Sequence, residues 1–156
     1  MPDRLAANES CSATLTPGER LVLQGLRCWA ASRMRGGRPV APTWRLMAWR
    51  TSERVAALFV AWMEAVEAGG RHPIQIHCVR CAGATADEQR LILAMGVASV
   101  DMELGESLLA PLVTDCAAVM TLARALNAAL ASSGLPLPAR LCGAPVRHEV
   151  AGATVH

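Results

Sequence analysis

The residues best suited to chemistry are two cysteines separated by two positions, Cys78-x-x-Cys81, with His77 before them and Gly83 after them. Two thiolates at this spacing can bind one tetrahedral metal ion, because a tight turn points both sulfur atoms to the same side. A glycine after the second cysteine helps such a turn to form. The sequence therefore predicts part of a zinc site, with Cys78, Cys81 and His77 as its ligands.

A complete structural zinc site needs four ligands, and the chain contains no second pair of cysteines at this spacing. The pair resembles a single zinc knuckle. The residues that would complete the ligand set are His72, Cys142 and His148, of which the last two lie in the C-terminal segment. Zinc is thus the cofactor that the sequence suggests.

The same two cysteines have two other interpretations. They are typical of thiol–disulfide exchange, in which a helix N-terminus lowers the pKa of the first thiol. Here the next helix begins near Thr85, beyond both cysteines, and the βαβ surroundings of thioredoxin-like proteins are missing. A redox-sensitive pair is therefore an alternative to zinc. The remaining interpretation is that both thiols are small buried side chains at the corner between a strand and a helix.

A second concentration of functional residue types lies in residues 27–54, where seven arginines and one acid, Glu53, give a balance of +6. The side chains that we expect to contact a partner are Arg33, Arg35, Arg38, Trp44, Arg45, Trp49 and Arg50. Aromatic faces beside guanidinium groups also stack on bases and neutralise phosphates, so nucleic acid is an alternative partner.

The tryptophans divide into two groups by their spacing. Trp29 and Trp62 fall on apolar helical stripes, which predicts that they belong to the core. Trp44 and Trp49 lie in the basic segment and are expected to close over the core. Residues 86–116 hold six acids and one arginine, a balance of −5. The two charged regions can attract each other within one molecule, contact a protein partner or pair in a homo-oligomer.

Catalytic motifs are missing from the sequence. The chain has no lysine and no tyrosine, which excludes Schiff-base chemistry, a P-loop lysine and a phenolic acid. It also lacks Gly-x-Ser-x-Gly, His-Glu-x-x-His and EF-hand patterns. The sequence therefore favours a small interaction or regulatory module over an enzyme.

Sequence signals for helix starts and ends predict the elements that carry the cysteine pair and the basic segment. Thr16 and Glu19 form a capping box that opens a helix ending at Gly36-Gly37. Residues 15–23 resemble the opening of LuxR-type helix-turn-helix domains, but the resemblance stops there, because the glycines stand where the turn and recognition helix would follow. Residues 38–43 contain two prolines and are predicted as a loop, with a short helix over 44–49.

Similar start and end signals predict the helices in the rest of the chain. One helix runs from Ser52 to Gly69-Gly70, and Thr85 with Glu88 opens another that Gly105 should end. Between them, residues 73–79 alternate apolar and polar side chains, which predicts a short β element. A last helix begins near Leu109, with Pro111 in its first turn, and ends near residue 133.

These elements predict a mainly α protein with about four principal helices around one core, one short β element and an extended C-terminal tail. The predicted organisation is a flexible N-terminus over 1–14, one helical domain over 15–134 and a proline- and glycine-containing tail over 135–156. The longest apolar runs reach about half of the roughly 20 residues that a membrane span needs. Without a signal peptide, the cytoplasm is the expected location.

Overall fold

The computed structural model describes residues 14–140, and this part of the chain is mainly helical. It contains six helices and no β-strand: α1 (Pro17–Met34), α2 (Val40–Arg50), α3 (Glu53–Ala68), α4 (Ala86–Val97), α5 (Met102–Leu109) and α6 (Cys116–Ser132). The predicted helical class is confirmed, although six helices stand where about four principal ones were expected. None of the helices within residues 14–140 has the length and hydropathy needed to cross a bilayer.

Both predicted capping boxes are present. At the start of α1 the Thr16 hydroxyl accepts a hydrogen bond from the Glu19 N–H, and the Glu19 carboxylate accepts one from the Thr16 N–H at 2.7 Å. Thr85 and Glu88 make the same two bonds at the start of α4. Both glutamates are buried, and each pairs with an arginine from a distant part of the chain. One local motif therefore also serves long-range packing.

The predicted loop over residues 38–43 is wrong for most of its length, because α2 already begins at Val40, after the N-cap Pro39. Pro42 occupies the third position of the helix. A backbone N–H in the first turn has no acceptor within the helix, so a proline is tolerated there. The predicted short helix over 44–49 is the C-terminal part of α2.

The predicted β element over residues 73–79 is also not formed. In the described part of the chain, β pairing is confined to one isolated bridge, between Gly70 and Val113. The alternation that suggested a strand is nevertheless real, because Ile74 and Ile76 pack against the core. The segment is extended, but it has no neighbouring strand.

Side chains at the start of α4 satisfy the backbone of this extended segment. The Gln75 N–H donates to the Asp87 carboxylate at 2.8 Å, and the His77 N–H donates to the Glu88 carboxylate at 3.1 Å. The Thr85 hydroxyl donates to the Gln75 carbonyl. Since buried or half-buried backbone groups need partners of this kind, the first turn of α4 takes the place of a second strand.

The helix predicted from Thr85 onward is divided into α4 and α5. The division occurs at Asp101, whose side chain accepts a hydrogen bond at the N-terminus of α5. Gly105 does not end a helix: it is buried within α5, and a Cβ there would stand 2.7 Å from the Met120 sulfur. The last helix begins later than predicted, after the N-cap Asp115, so Pro111 lies in the connection.

The core lies between the long helices and contains the two tryptophans predicted for it. Trp29 and Trp62 are both buried. The Phe59 ring packs against Trp62 with ring centroids 5.8 Å apart. Gly25 on α1 allows this ring to approach, because a Cβ there would lie 2.5 Å from the ring. Each fully buried large apolar side chain stabilises the fold by about 1.5–3 kcal/mol.

Residues 135–140, which begin the predicted tail, return across the helices. Leu137 is buried, and a Cβ at Gly18 would lie 2.6 Å from the Leu135 carbonyl oxygen, so the two backbones are in close contact. Arg140 pairs with Glu19 at 2.7 Å. The rest of the predicted tail and residues 1–13 lie outside the described residues.

Candidate functional site

The two cysteines of the Cys-x-x-Cys motif are brought together on the surface. Their sulfur atoms lie at disulfide distance, with Cα atoms 5.3 Å apart. Cys78 is exposed and Cys81 is half-buried. Between them, Val79 is 62% exposed and Arg80 also faces solvent. The interpretation of the pair as two buried packing residues is therefore wrong for Cys78.

The two cysteines belong to a loop, residues 77–84, whose backbone is bound by the side chain of Arg27 from α1. Its Nη1 donates to the Cys81 carbonyl at 2.8 Å, and its Nη2 donates to the Gly83 carbonyl at 2.5 Å. The same guanidinium makes two hydrogen bonds to Glu88 of α4, at 2.9 and 3.2 Å. Arg27 is only 6% exposed and Glu88 is fully buried. A buried charge is tolerated when it is paired and hydrogen-bonded in this way.

Glu88 holds the other side of the loop. Its carboxylate accepts hydrogen bonds from the backbone N–H groups of His77 and Thr85, at 3.1 and 2.8 Å. Burial raises the pKa of this carboxyl, but the bonds from Arg27, Thr85 and His77 outweigh it and hold the pKa below its ordinary value. The carboxylate is therefore ionised at neutral pH, and the ion pair with Arg27 persists.

The predicted zinc ligands are only partly described. The structure describes Cys78, Cys81, His77 and His72, whereas Cys142 and His148 lie outside the described residues. His72 belongs to the neighbouring segment, where its Nδ1 lies 3.0 Å from the Pro73 carbonyl. Within residues 14–140, no group of three or more His, Cys, Asp and Glu side chains is arranged to hold a metal ion.

The predicted partner-binding residues lie at the end of α1, in the connection that follows it and on α2. Arg45 and Trp49 follow each other by one helical turn on α2, and Trp49 is 88% exposed. Arg50 is exposed beside it. Trp44 instead packs against the core. The expectation that both of these tryptophans close over the core is therefore wrong for Trp49.

Most of the arginines predicted to bind a partner have no acidic partner among the described residues. The ion pairs that the described chain contains are Arg27–Glu88, Arg33–Glu67 and Arg140–Glu19. The remaining predicted partner-binding arginines, which are all exposed and lie outside these pairs, are Arg35, Arg38, Arg45 and Arg50. We define the basic face as the exposed part of α2 that carries Arg45 and Trp49 on its outer side and Arg50 as its last residue. It presents uncompensated positive charge around an exposed indole.

An apolar groove of about 650 Å³ lies between α1, α3 and residues 70–76. Glu67 at its rim accepts hydrogen bonds from the Trp29 indole at 2.6 Å and from Arg33 at 2.7 Å. Burial raises the pKa of Glu67, and these bonds lower it further than burial raises it, so the pKa lies below its ordinary value. Sequence reasoning missed this groove, because its walls come from segments far apart in the chain.

Most of the acidic side chains in residues 86–116 lie on α5 or in the segments next to it. Asp101, Glu103 and Asp115 are exposed there. Helix α5 packs against α4 and α6, whereas α2 packs against α1 and α3. Among the described residues, one ion pair joins the two charged regions, and it is the buried pair of Arg27 and Glu88. Most of the opposite charge on the two surfaces is therefore left facing solvent.

Comparison with known proteins gives no relative: no family model matches the chain, and no match is found among curated proteins or solved structures. Function must therefore be inferred from the exposed side chains themselves, on the basic face and on the cysteine loop.

Proposed function

We propose that the protein is a small non-catalytic interaction module that binds an acidic protein surface on the basic face of α2. The observation that carries the proposal is Trp49, whose side chain is 88% exposed between Arg45 and Arg50. Single exposed apolar side chains are common at protein surfaces, so the proposal rests on the indole together with the two exposed arginines near it in the sequence. Tryptophan and arginine are also the side chains that contribute most binding energy at protein interfaces.

The chemistry of the face fits carboxylates on the partner. A guanidinium pairs with a carboxylate through two parallel hydrogen bonds, which fixes orientation as well as charge. Arg45 and Arg50 have no carboxylate partner among the described residues, so they are available for such bonds. Because the face lies on a helix that is packed against α1 and α3, its backbone loses little conformational entropy on binding.

A protein partner is better supported than nucleic acid. Binding of single strands uses successive aromatic side chains on which bases stack, and here Trp44 faces the core while Trp49 alone faces outward. The net charge of the whole chain is only +2. Nucleic-acid binding is therefore the second candidate, and it requires an affinity that falls steeply with salt.

A second copy of the chain is one acidic partner that the charges allow. Asp101, Glu103 and Asp115 provide exposed carboxylates near α5, on different helices from the basic face. Contact between the basic face of one molecule and this acidic surface of another would be head-to-tail, and such contacts build rings or open chains. Sedimentation velocity over a concentration series distinguishes this case from binding to a different protein.

Zinc binding at Cys78 and Cys81, with His77, His72, Cys142 or His148 as further ligands, is an alternative proposal supported by the two adjacent sulfurs. Native mass spectrometry of tag-free protein tests it, with the double variant Cys78→Ser/Cys81→Ser as control. One zinc per chain, lost in the variant, would support the site. We propose the cytoplasm as the location for either function.

The test of the interaction proposal uses two matched double variants. Arg45→Glu/Trp49→Ser removes the charge and the indole of the basic face. Arg124→Glu/Val100→Ser removes an exposed arginine and an exposed apolar side chain elsewhere on the surface. Proteins retained by the wild type are quantified by mass spectrometry for all three, and the binding of a purified candidate is measured by calorimetry.

The expected result is a partner that binds the wild type and the control equally but loses about 2 kcal/mol or more of binding free energy with the basic-face variant. A partner retained equally by all three proteins contradicts the proposal. Retention of nucleic acid alone, with steep salt dependence, would replace it with the second candidate.

A further inference from the structure

The sulfur pair of Cys78 and Cys81 contributes little to holding the fold together. Only Val79 and Arg80 separate the two cysteines, and both intervening side chains are exposed. Closing so short a loop constrains the unfolded chain much less than a bridge between distant residues does. Stabilisation therefore does not account for a disulfide at this position, and Cys78 is exposed to solutes in the solvent.

The backbone around the pair is held without the help of the sulfur–sulfur bond. Before the pair, the His77 N–H donates to Glu88; after it, the carbonyls of Cys81 and Gly83 accept from Arg27. All of these bonds end on the buried Arg27–Glu88 ion pair. Breaking the disulfide leaves each of them in place, so the two thiols stay close enough to react again.

We propose that Cys78 and Cys81 form a reversible thiol–disulfide exchange site for low-molecular-weight thiols, in which the Arg27–Glu88 pair acts as a positioning element. The proposal concerns a surface other than the basic face and does not depend on the proposed function. Helix α4 begins after the N-cap Thr85, so neither cysteine belongs to its first turn. The held backbone keeps the two sulfur atoms close enough to react with each other.

The exchange balances in two steps. The thiolate of the small molecule attacks Sγ of Cys78, the sulfur–sulfur bond breaks, and Sγ of Cys81 leaves as a thiolate that takes a proton from water. A second small thiolate then attacks the outer sulfur of the mixed disulfide, and Sγ of Cys78 leaves as a thiolate that takes a proton from water. The two protons taken up by the protein equal those that the small thiols released when they formed their thiolates. Two small thiols supply two electrons and become one small disulfide, while the protein gains two thiols. The reverse steps restore the protein disulfide.

The two cysteines have unequal roles because their exposure differs. Cys78 is exposed, whereas Cys81 is half-buried and its carbonyl is bound by Arg27. An incoming thiol therefore reaches Cys78 first, and Cys81 is the resolving residue that expels the small thiol when the disulfide forms again. Access to the attacked sulfur is one of the factors that set exchange rates.

The first experiment equilibrates the full chain with reduced and oxidised glutathione at a series of ratios. Samples are quenched with acid and alkylated, and peptide mass spectrometry then resolves Cys78 and Cys81 from the other four cysteines. We expect the pair to pass reversibly between disulfide and dithiol while circular dichroism reports an unchanged fold. A pair that is reduced only when the protein unfolds overturns the proposal. So does a reduced pair that holds stoichiometric zinc and resists alkylation.

Single-cysteine variants test the order of attack. In Cys81→Ser, Cys78 should form a mixed disulfide with oxidised glutathione. In Cys78→Ser, the remaining Cys81 should react at least about tenfold more slowly, because access limits the rate. Equal rates, or a faster reaction at Cys81, contradict the assigned roles.

The positioning role is tested with Arg27→Met/Glu88→Leu, which replaces the buried ion pair by apolar side chains so that no unpaired charge is left in the core. The control is Arg33→Met, which removes an exposed ion pair elsewhere. We expect the equilibrium constant for disulfide formation against glutathione to fall about tenfold in the double variant, or about 30 mV for this two-electron couple, and to stay unchanged in the control. A folded double variant with the wild-type equilibrium constant removes the positioning role.

Discussion

Arg27 and Arg45 belong to the same basic stretch of the chain, yet the fold treats them in opposite ways. Arg27 is 6% exposed and its guanidinium bonds to Glu88, Cys81 and Gly83. Arg45 is exposed and bonds only weakly within its own helix, to the Ala41 carbonyl at 3.4 Å. A count of positive charge along the sequence therefore combines a structural arginine with arginines that are available to a partner.

The difference arises from where each side chain lies on its helix. Arg27 lies on the side of α1 that faces α4, and burial there requires a carboxylate that the sequence supplies 61 residues later. Arg45 lies on the side of α2 that faces solvent, where water satisfies the charge at little cost.

The largest expected effect is the loss of the buried ion pair. Arg27→Met leaves Glu88 buried without its partner, which should lower the free energy of unfolding by about 3–5 kcal/mol. Arg45→Met should change it by less than about 0.5 kcal/mol, because surface substitutions seldom do more. Urea unfolding followed by circular dichroism measures both. Equal effects of the two substitutions would show that the contrast between the regions is wrong.

Acid should affect the buried region selectively. The folded-state pKa of Glu88 is below its ordinary value of 4.5, so between these two values the unfolded chain binds the extra proton. The contribution of Glu88 to stability is therefore present at neutral pH and is lost as the pH falls through its folded-state pKa. As the pH is lowered from about 6 to 3, the urea concentration at the unfolding midpoint should fall more for the wild type than for Arg27→Met/Glu88→Leu. Parallel curves would contradict this assignment.

A smaller effect of opposite sign is expected on the inner side of α2. The Thr43 hydroxyl is buried and has no hydrogen-bond partner among the described residues. Thr43→Val replaces it with a methyl group of similar shape, which should raise the free energy of unfolding by about 1 kcal/mol. Thermal unfolding monitored by calorimetry tests the sign. A destabilised variant would indicate that the hydroxyl has a partner in solution.

The smallest effect on stability is expected at the outer side of the same helix. Trp49→Ser should leave the free energy of unfolding within about 0.5 kcal/mol of the wild type, since the indole makes little contact with the fold. Its fluorescence in the wild type should also be readily quenched by iodide. A strongly destabilised Trp49→Ser variant would place the indole in the fold and remove the basis of the proposed interaction face.

Local signals predicted the helices best. The capping boxes at Thr16 and Thr85 located two helix starts, because every bond they describe lies within four residues of sequence. Pro39, Pro42 and Gly105 led to wrong predictions, because the effect of a proline or glycine depends on its position within a helix and on the neighbour it faces. The β alternation of residues 73–79 indicated an extended backbone correctly, but the missing partner strand could not be read from one segment.

The candidate sites were predictable only in part, for the same physical reason. The spacing of Cys78 and Cys81 brought the sulfurs together, and the arginine-rich stretch pointed to α2. The role of Arg27 beneath the cysteine loop, by contrast, depends on the packing of α1 against α4. No local pattern records that contact, so charge and spacing alone did not distinguish a core ion pair from an interface.

The Glu19 carboxylate links events at the two ends of the described chain. It caps α1 through the Thr16 N–H and also binds Arg140, 121 residues away. A contact between residues so far apart in the chain closes a long loop, which costs entropy until the helices between them are in place. We therefore expect this contact to form late in folding. Fraying of the first turn of α1, seen by hydrogen exchange, is therefore a local reporter of displacement at residue 140, even while the rest of the molecule stays folded.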